Sequence, residues 1–223
     1  MQFRHEIKHE ISKLDMLILR QRLSAVMAAD SHAKGGRYEI RSLYFDNLDD
    51  KALREKLDGV SAREKYRIRL YNNDPSVIHL ELKCKRGGLG YKQSAALTRE
   101  QARRIAGGDV RWMAGSGDQV LLGFYARVRN EGLAPKVIVD YSREPFVFGP
   151  GNVRVTLDYN IRTALRCTDF LNPDCVTVPV PGSPCILEVK WDNYLPDVIR
   201  DILQLGDRRS TAYSKYAACR MYD

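Results

Sequence analysis

The sequence contains no long hydrophobic run. The longest aliphatic stretch near its start is Met16 to Leu19, whereas a membrane helix needs about 20 apolar residues in succession. Charged residues alternate with bulky ones at the start of the sequence, at Arg4, Glu6 and Lys8. A secretory signal instead has an apolar segment behind a basic start. We therefore expect no transmembrane segment and a protein that stays in the cytoplasm.

Cysteine is scarce, and its spacing excludes the usual cysteine-based sites. The residues are odd in number and form no Cys-x-x-Cys pair, which argues against a disulfide framework and against a zinc site. Reduced, mostly buried thiols are therefore expected at Cys84, Cys167, Cys175, Cys185 and Cys219.

Acidic residues are too few to balance the basic ones. The chain has 36 Lys and Arg against 28 Asp and Glu, a net charge of +8, which favours an anionic partner such as a nucleic acid, a phosphate-rich ligand or a membrane surface. Hydrophobic residues make up 44% of the chain, enough to bury a core and to exclude disorder. The 223 residues contain no domain-sized repeat and no linker, so we expect one domain over residues 1–223.

Period-two alternation predicts a set of strands that each have one apolar and one charged face. Most of the charged faces are strongly basic, as in Lys65, Arg67 and Arg69. The predicted strands cover residues 3–11, 40–45, 65–70, 78–85, a segment around 91–92 after a Gly87-Gly88 hairpin, 136–142, 152–158 and 185–191.

Helices are predicted between these strands. Ser12 with Asp15 forms a capping box, and the apolar spacing behind it predicts a helix from Lys13 to Ala29. Further helices are expected through Leu57, after Thr98, and over residues 118–130, 195–205 and 214–221, with a proline-marked loop over 173–184.

Alternation alone does not decide where the charged faces point. They face water if the sheet is half-solvated, or they line the inside if the sheet closes into a barrel clad by the helices. The excess of cations, and Glu-x-Lys pairs that place an acceptor about 7 Å from a cation on one strand face, favour the barrel. Such a lining needs an anion inside it, because buried unpaired charge costs several kcal/mol per group. The three pairs are Glu6 with Lys8, Glu81 with Lys83 and Glu188 with Lys190.

Eight short motifs occur in an order that resembles one family. They are Arg4-His5-Glu6-Ile7-Lys8, Leu43-Tyr44-Phe45-Asp46, Arg63-Glu64-Lys65-Tyr66-Arg67-Ile68-Arg69, Leu80-Glu81-Leu82-Lys83, Asp140-Tyr141-Ser142-Arg143, Arg154-Val155-Thr156-Leu157-Asp158, Leu187-Glu188-Val189-Lys190 and Ser214-Lys215-Tyr216. The chain resembles the catalytic domain of the vacuolar transporter chaperone (VTC) polyphosphate polymerases, within the triphosphate tunnel metalloenzymes. The resemblance implies an α+β fold whose closed antiparallel eight-stranded tunnel β-barrel has a charged interior and is clad by amphipathic helices.

The resemblance also implies an activity and a site. The enzyme would transfer the terminal phosphoryl group of ATP to a growing inorganic polyphosphate chain, with Mn²⁺ or Mg²⁺ as cofactor. Catalytic roles would fall on Arg67, Arg69, Lys83, Arg143 and Arg154. Phosphate or nucleotide would be bound by Lys8, Lys92, Tyr141, Lys190, Ser214 and Lys215, and metal by Glu188, Glu6 and Glu81. ATP and polyphosphate are the expected partners and nucleic acid is not; a membrane-associated partner and the oligomeric state stay open.

Two departures from the family pattern affect this interpretation. The superfamily signature Glu-x-Glu-x-Lys has Arg4 at its first position, so a metal ligand is lost and a cation gained, which favours a polymerase over a metal-rich hydrolase. An additional lysine of the eukaryotic polymerases is absent, since Ala212 and Tyr213 precede Ser214. The alternatives are a tunnel triphosphatase that acts on inorganic or nucleoside triphosphate, and a non-catalytic module that binds polyphosphate or nucleic acid.

Overall fold

The computed structural model describes residues 4–206 and 210–221. Its strands are β1 His5–Ile11, β2 Ala28–Ala29, β3 Tyr38–Asp46, β4 Arg63–Tyr71, β5 Asp74–Arg86, β6 Leu89–Leu97, β7 Ala134–Phe148, β8 Val153–Thr163, β9 Val178–Pro179 and β10 Cys185–Trp191. Its helices are α1 Lys13–Val26, α2 Lys51–Leu57, α3 Arg99–Ala106, α4 Gln119–Glu131, α5 Asp197–Ile202 and α6 Lys215–Arg220. Within these ranges, no helix is long and apolar enough to cross a membrane.

The predicted strands and helices are present, but α1, α5 and α6 are shorter than expected. The helix α1 begins with the predicted Ser12–Asp15 capping box but ends at Val26, because Ala28 and Ala29 are extended and pair with β7. The helix α5 starts after Pro196, since a proline disfavours helical backbone in the residue before it. The predicted start of the first strand at Phe3 lies outside the described residues.

All the strands belong to one antiparallel sheet. Its main path runs β1-β10-β8-β7-β3-β4-β5-β6, and β2 and β9 add short pairings to β7 and β8. The sheet curls until its two edge strands approach, but β1 and β6 meet at a single isolated bridge between Arg4 and Gly90. The predicted closed eight-stranded barrel is therefore wrong, and the sheet is an open half-barrel. Within residues 4–206 and 210–221, no ladder of backbone hydrogen bonds joins the two edges.

The convex face of the half-barrel is apolar and covered by helices, as predicted. One hydrophobic cluster packs β4 and β5 against α3 and α4, and a second packs β8 and β10 against α1 and α5. Phe124 of α4 is fully buried against Phe45, with ring centroids 4.9 Å apart in an edge-on arrangement. Burying a side chain of this size contributes about 1.5–3 kcal/mol, so the helices hold the sheet from outside and leave its inner face free for polar groups.

The concave face is charged over most of its area, but α6 covers one part of it. Tyr216 and Cys219 of α6 pack on Val137 and Val139 of β7 in a third hydrophobic cluster. The Tyr216 ring stacks on Tyr44 with centroids 5.1 Å apart. The sequence analysis predicted a helix over residues 214–221 but not this inner apolar cluster, because the cluster depends on contacts with strands far away in the chain. Its effect is to confine the charged lining to the remaining strands.

Candidate functional site

The arginines of β4 form the first charged cluster, around Glu81 of β5. Arg67 lies directly opposite Glu81 in the strand pairing, and its Nη2 is 2.6 Å from the carboxylate. Lys92 of β6 donates to the other oxygen at 2.9 Å, and Arg69 lies 3.8 Å away. Arg69 also donates to Tyr141 at 3.0 Å. One buried carboxylate therefore orients three cations on the concave face.

A second cluster joins β1, β10 and β5. Glu188 and Glu6 share two lysines: Lys8 lies 3.2 and 3.3 Å from them, and Lys190 lies 2.6 and 3.5 Å from them. Lys83 donates to Glu6 at 3.0 Å, although the sequence motif pairs it with Glu81. Because β1 and β5 lie on opposite sides of the open seam, this contact connects the two edges of the half-barrel through side chains.

A third cluster centres on Asp158 of β8, which is fully buried. Arg143 donates to both of its oxygens at 2.6 and 2.7 Å, and Lys215 of α6 donates at 2.5 Å. The Lys215 ammonium also lies 4.6 Å from the centroid of the Tyr141 ring, and Tyr141 accepts from Arg69 of the first cluster. The predicted phosphate-binding residues of β7 and α6 are thus held beside those of β4.

Cations outnumber carboxylates in these three clusters. Burial alone raises the pKa of Glu188, but Lys190, Lys8 and Arg143 outweigh burial and hold that pKa well below its usual range. Burial and the neighbouring Lys8 lower the pKa of Lys83 to about 7. In the three clusters, four carboxylates form ion pairs with eight basic side chains. The carboxylates are Glu6, Glu81, Asp158 and Glu188, and the basic residues are Lys8, Arg67, Arg69, Lys83, Lys92, Arg143, Lys190 and Lys215. The surplus positive charge suits a multiply charged anion.

Two predicted site residues, the catalytic candidate Arg154 and the phosphate-binding candidate Ser214, have partners outside these clusters, although Arg154 lies opposite Lys190 in the strand pairing. Arg154 forms an ion pair with Asp30 at 3.0 Å. The Ser214 hydroxyl caps α6 by accepting from the Ala217 amide at 3.3 Å. Arg4, the residue that departs from the family signature, pairs with Asp192 at 2.8 Å.

The cysteines contribute nothing to the charged lining. Within the described residues they form no disulfide, and only Cys167 is exposed. This arrangement confirms that most of them are buried.

Four polar residues of the site were missed by the sequence analysis. Ser42 and Tyr44 of β3 accept from Arg69 and Arg67 at 3.1 and 2.9 Å. Asp158 anchors the third cluster, and Thr156 lies opposite Glu188. The alternation of Arg154, Thr156 and Asp158 along β8 was the available signal, because all three share the face of a predicted basic residue. Neutral hydroxyls carry no comparable signal in β3.

The concave face offers oxygen donors for a divalent metal at one place. Glu6 and Glu188 are bridged by Lys8, and the buried Thr156 hydroxyl beside Glu188 has no hydrogen-bond partner within the described residues. Mg²⁺ and Mn²⁺ favour such oxygens, and Mg²⁺ commonly takes one or two protein carboxylates together with substrate phosphate and water. No group of three His, Cys, Asp or Glu side chains in residues 4–206 and 210–221 could hold a metal. The donors present therefore fit a metal that arrives with a phosphate ligand.

Two solved structures share this architecture. A Hippeastrum protein named as a candidate adenylyl cyclase, and described as having a dominant triphosphatase activity, aligns with a TM-score of 0.53 at 13% identity over 91% of this chain and 84% of its own. A candidate adenylate cyclase of Bacillus halodurans aligns with a TM-score of 0.50 at 16% identity over 85% of this chain and 80% of its own. At these identities the likeness establishes the fold alone.

The sequence identifies the family of the chain. It matches the VTC domain over residues 3–222, and it therefore belongs to the VTC domain family. No curated protein sequence matches it significantly. The family resemblance stated from the eight motifs is confirmed.

Proposed function

We propose that this protein is a polyphosphate polymerase that transfers the terminal phosphoryl group of ATP to a growing inorganic polyphosphate chain. The observation that supports this most is the surplus of cations on the concave face, where eight Lys and Arg side chains share four carboxylates. A chain of phosphates supplies the missing negative charge in the shape that a curled sheet can surround.

The proposed reaction needs little from the protein beyond position and charge. An ionised terminal oxygen of the polyphosphate chain attacks the γ-phosphorus of ATP, one P–O bond forms, the bond to the β-phosphate oxygen breaks, and ADP leaves. Catalysis of phosphoryl transfer is almost entirely positioning and neutralisation of charge. We assign the contacts to the transferred group to Arg67 and Arg69, whose planar donors suit phosphate oxygens, with Lys83 and Arg143 beside them. No strong base is required, because the attacking oxygen already carries a negative charge.

The metal would be held by Glu188 and Glu6, with Thr156 adjacent. When bound, a divalent ion would neutralise phosphate charge and orient the donor, and either Mg²⁺ or Mn²⁺ suits the oxygen ligands. Glu81 accepts from Arg67 at 2.7 Å and from Lys92 at 2.9 Å. We assign it to orienting Arg67 and Lys92.

The residue at position 4 supports a polymerase. Arg4 stands where the superfamily signature has a glutamate, and it is turned to Asp192. The metal site therefore has one carboxylate fewer than that signature provides, while the phosphate-binding cations remain. Many cations with few metal ligands favour binding of a long polyanion. A hydrolase that activates water on metal would use more metal ligands.

A tunnel triphosphatase is the second candidate. It is favoured by the Hippeastrum protein that shares the fold and is described as having a dominant triphosphatase activity. A hydrolase would use the same cations and pass the phosphoryl group to water. A nucleic-acid module fits less well, because the cations alternate along a curled concave face instead of forming an exposed stripe with stacking aromatic rings.

One assay separates these functions. Purified protein is incubated with ATP and Mn²⁺ or Mg²⁺, and the products are analysed on a polyphosphate-stained gel beside a free-phosphate assay and an ADP assay. We expect a ladder of polyphosphate with stoichiometric ADP. Free phosphate without a ladder would establish the triphosphatase, and neither product, with binding retained, would leave a binding protein.

A further inference from the structure

Two thiols that the charged clusters do not use lie in direct contact. Cys167 and Cys175 belong to the segment between β8 and β9, and their Sγ atoms are 3.2 Å apart. A disulfide joins two sulfur atoms at about 2.0 Å, so a movement of about 1 Å would bring this pair to bonding distance. Both residues are free thiols in this structure, so the pair is in its reduced form.

The backbone around the pair is anchored, so the contact between the two thiols is set by the fold. The Cys167 amide donates to the Ala164 carbonyl at 3.0 Å, which closes one tight turn. The Cys175 amide donates to the Asn172 carbonyl at 3.2 Å, which closes another. Between the turns, Phe170 is 1% exposed and packs in the first hydrophobic cluster.

The two thiols differ in their access to solvent. Cys167 is exposed, whereas Cys175 is buried. Burial, the hydrogen bond with Cys167 and the charge of Cys167 raise the pKa of Cys175 to about 11, although Arg41 lowers it. Since the thiolate is the attacking species, a dissolved oxidant reacts with Cys167 first.

A structural metal is a weaker interpretation of the pair. Zinc at a structural site takes four protein ligands, usually cysteine and histidine. Within residues 4–206 and 210–221, no group of three His, Cys, Asp or Glu side chains could hold a metal. Two adjacent thiols without further ligands suit exchange with disulfides.

We propose that Cys167 and Cys175 form a redox-active dithiol, which low-molecular-weight disulfides such as oxidised glutathione convert reversibly into an intramolecular disulfide. Cys167 is the thiol that reacts with the external disulfide, and Cys175 is the resolving thiol. This site lies on the outer side of the sheet and does not depend on the proposed function.

The exchange takes place in two steps. The Cys167 thiolate attacks one sulfur of oxidised glutathione, a new S–S bond forms, the old one breaks, and one glutathione thiolate leaves and takes up a proton. Cys175 then gives its proton to water and attacks the Cys167 sulfur, which releases the second glutathione thiolate. The two protein sulfurs are oxidised, and their two electrons reduce oxidised glutathione to two thiols. Excess reduced glutathione reverses both steps.

The first step favours the second. Once Cys167 is bonded to glutathione, it carries neither a thiol hydrogen nor a negative charge, so two of the causes that raise the pKa of Cys175 are lost. The guanidinium of Arg41, which lowers that pKa, remains. The buried thiol is therefore easier to deprotonate in the mixed disulfide than in the reduced protein.

The new bond would close a ring over residues 167–175. Arg41 of β3 donates to the Asn172 carbonyl inside that ring at 2.5 Å, so the ring is attached to the middle of the sheet. Because a disulfide restricts the unfolded chain, we expect oxidation to raise the midpoint of thermal unfolding by about 5 °C. No rise in the oxidised wild type, or an equal rise in Cys175→Ser, would contradict this stabilisation.

The test counts free thiols at a series of glutathione ratios. The full-length protein is equilibrated with reduced and oxidised glutathione, quenched with acid, alkylated in denaturant and weighed by intact mass spectrometry. Cys167→Ser and Cys175→Ser each remove one thiol of the pair. Cys185→Ser, which removes a buried thiol of β10, is the matched control. Circular dichroism confirms that each variant is folded.

We expect the oxidised wild type to lose two of its five thiols without gaining glutathione, and dithiothreitol to restore both. Cys185→Ser should also lose two. Cys175→Ser should instead carry one glutathione on Cys167, because no resolving thiol is present. Cys167→Ser should react at least about tenfold more slowly, since all of its remaining cysteines are buried.

Peptide mapping identifies the pair without any substitution in it. A protease that cleaves before aspartate cuts at Asp169 and Asp174, between the two cysteines. The fragments that contain Cys167 and Cys175 should therefore stay joined after oxidation and separate after reduction. The same linkage in Cys185→Ser would show that Cys175 is the partner, because position 185 lies in the same fragment.

Three results would overturn the proposal. Wild type that keeps all five thiols in excess oxidised glutathione would show that the contact does not become a bond. A loss of two thiols in Cys167→Ser or Cys175→Ser would assign the disulfide to another pair. Equal reaction rates of these two variants would contradict the order in which the thiols react.

Discussion

The ion pairs outside the half-barrel differ from those inside it. On the outer side two arginines each pair with one carboxylate: Arg20 donates to both oxygens of Glu144 at 2.7 and 2.8 Å, and Arg41 donates to both oxygens of Asp140. On the concave face, Glu81 alone forms ion pairs with Arg67, Arg69 and Lys92. Matched pairs are self-sufficient and connect parts of the fold. A shared carboxylate leaves positive charge uncompensated, which favours the binding of an anion on this face.

The largest loss of phosphate affinity is expected when an arginine of the concave face is removed. We expect Arg67→Ala or Arg69→Ala to lower the affinity for ATP and tripolyphosphate by about 100-fold or more, because each loses a charged, planar donor and leaves Glu81 less compensated. Titration calorimetry measures this loss. Arg67→Lys is the matched variant, which keeps the charge but not the planar donor geometry, and it should fall between wild type and alanine. An alanine variant with wild-type affinity would show that the inner surplus does not bind phosphate.

Removing an inner carboxylate should separate binding from turnover. In Glu188→Gln we expect ATP binding to persist and metal-dependent turnover to fall about 100-fold or more, since a metal ligand is lost while the neighbouring Lys8 and Lys190 remain. The measurement is the rate of ADP release against Mn²⁺ concentration, beside ATP affinity by calorimetry. Glu144→Gln, which neutralises an outer carboxylate, is the control. Wild-type activity in Glu188→Gln would end the metal assignment.

Much of the charged lining could be predicted from sequence because a strand has an exact period of two. Lys65, Arg67 and Arg69 had to share a face, and the structure places all three on the concave side. The same rule placed the Glu-x-Lys pairs, but it could not say which carboxylate a lysine would choose. Lys83 bonds Glu6 across the seam, a contact set by how tightly the sheet curls.

Closure of the sheet and the role of α6 could not be predicted in the same way. The alternation of apolar and charged residues is the same in an open and in a closed sheet. In this sheet the described parts of the two edges meet at one isolated bridge, between Arg4 and Gly90. The stacking of Tyr216 on Tyr44 is a contact between residues far apart in the chain. Long-range packing of this kind leaves no local periodic signal.

Raising the pH should lower the affinity of the concave face for polyphosphate, but by less than the substitutions above lower affinity or turnover. The pKa of Lys65 is lowered to about 8 by burial, and that of Tyr44 is lowered to about 8 because Arg67, Arg69 and Lys65 outweigh burial. Between pH 7 and 9 Lys65 and Lys83, whose pKa is about 7, lose positive charge and Tyr44 gains a negative one, so affinity for long polyphosphate should fall several-fold. The charged or titratable groups around Lys65 are Tyr44, Tyr216, Lys8, Arg63, Arg67 and Lys83.

Two variants assign the pH effect. Lys65→Arg should keep the parts due to Tyr44 and Lys83 and lose its own, because a guanidinium stays charged throughout this range. Tyr44→Phe should keep the parts due to Lys65 and Lys83 and lose its own. Affinity of the wild type is measured by calorimetry in buffers of equal ionic strength. A wild-type affinity that is flat or rises from pH 7 to 9 would contradict this prediction.

The smallest effect is expected from breaking an outer pair. Arg20→Ala removes a side chain that is 37% exposed from its ion pair with Glu144, and exposed pairs contribute about 0–1 kcal/mol. We expect the free energy of unfolding to fall by less than about 1 kcal/mol in urea denaturation, and polyphosphate affinity to stay unchanged, because this charge lies on the far side of the sheet. Since Arg20→Ala lowers the net charge by the same amount as Arg67→Ala, the two variants together test whether position or total charge controls binding. Equal losses of affinity in both would mean that the overall positive charge attracts the anion and that the concave face has no special role.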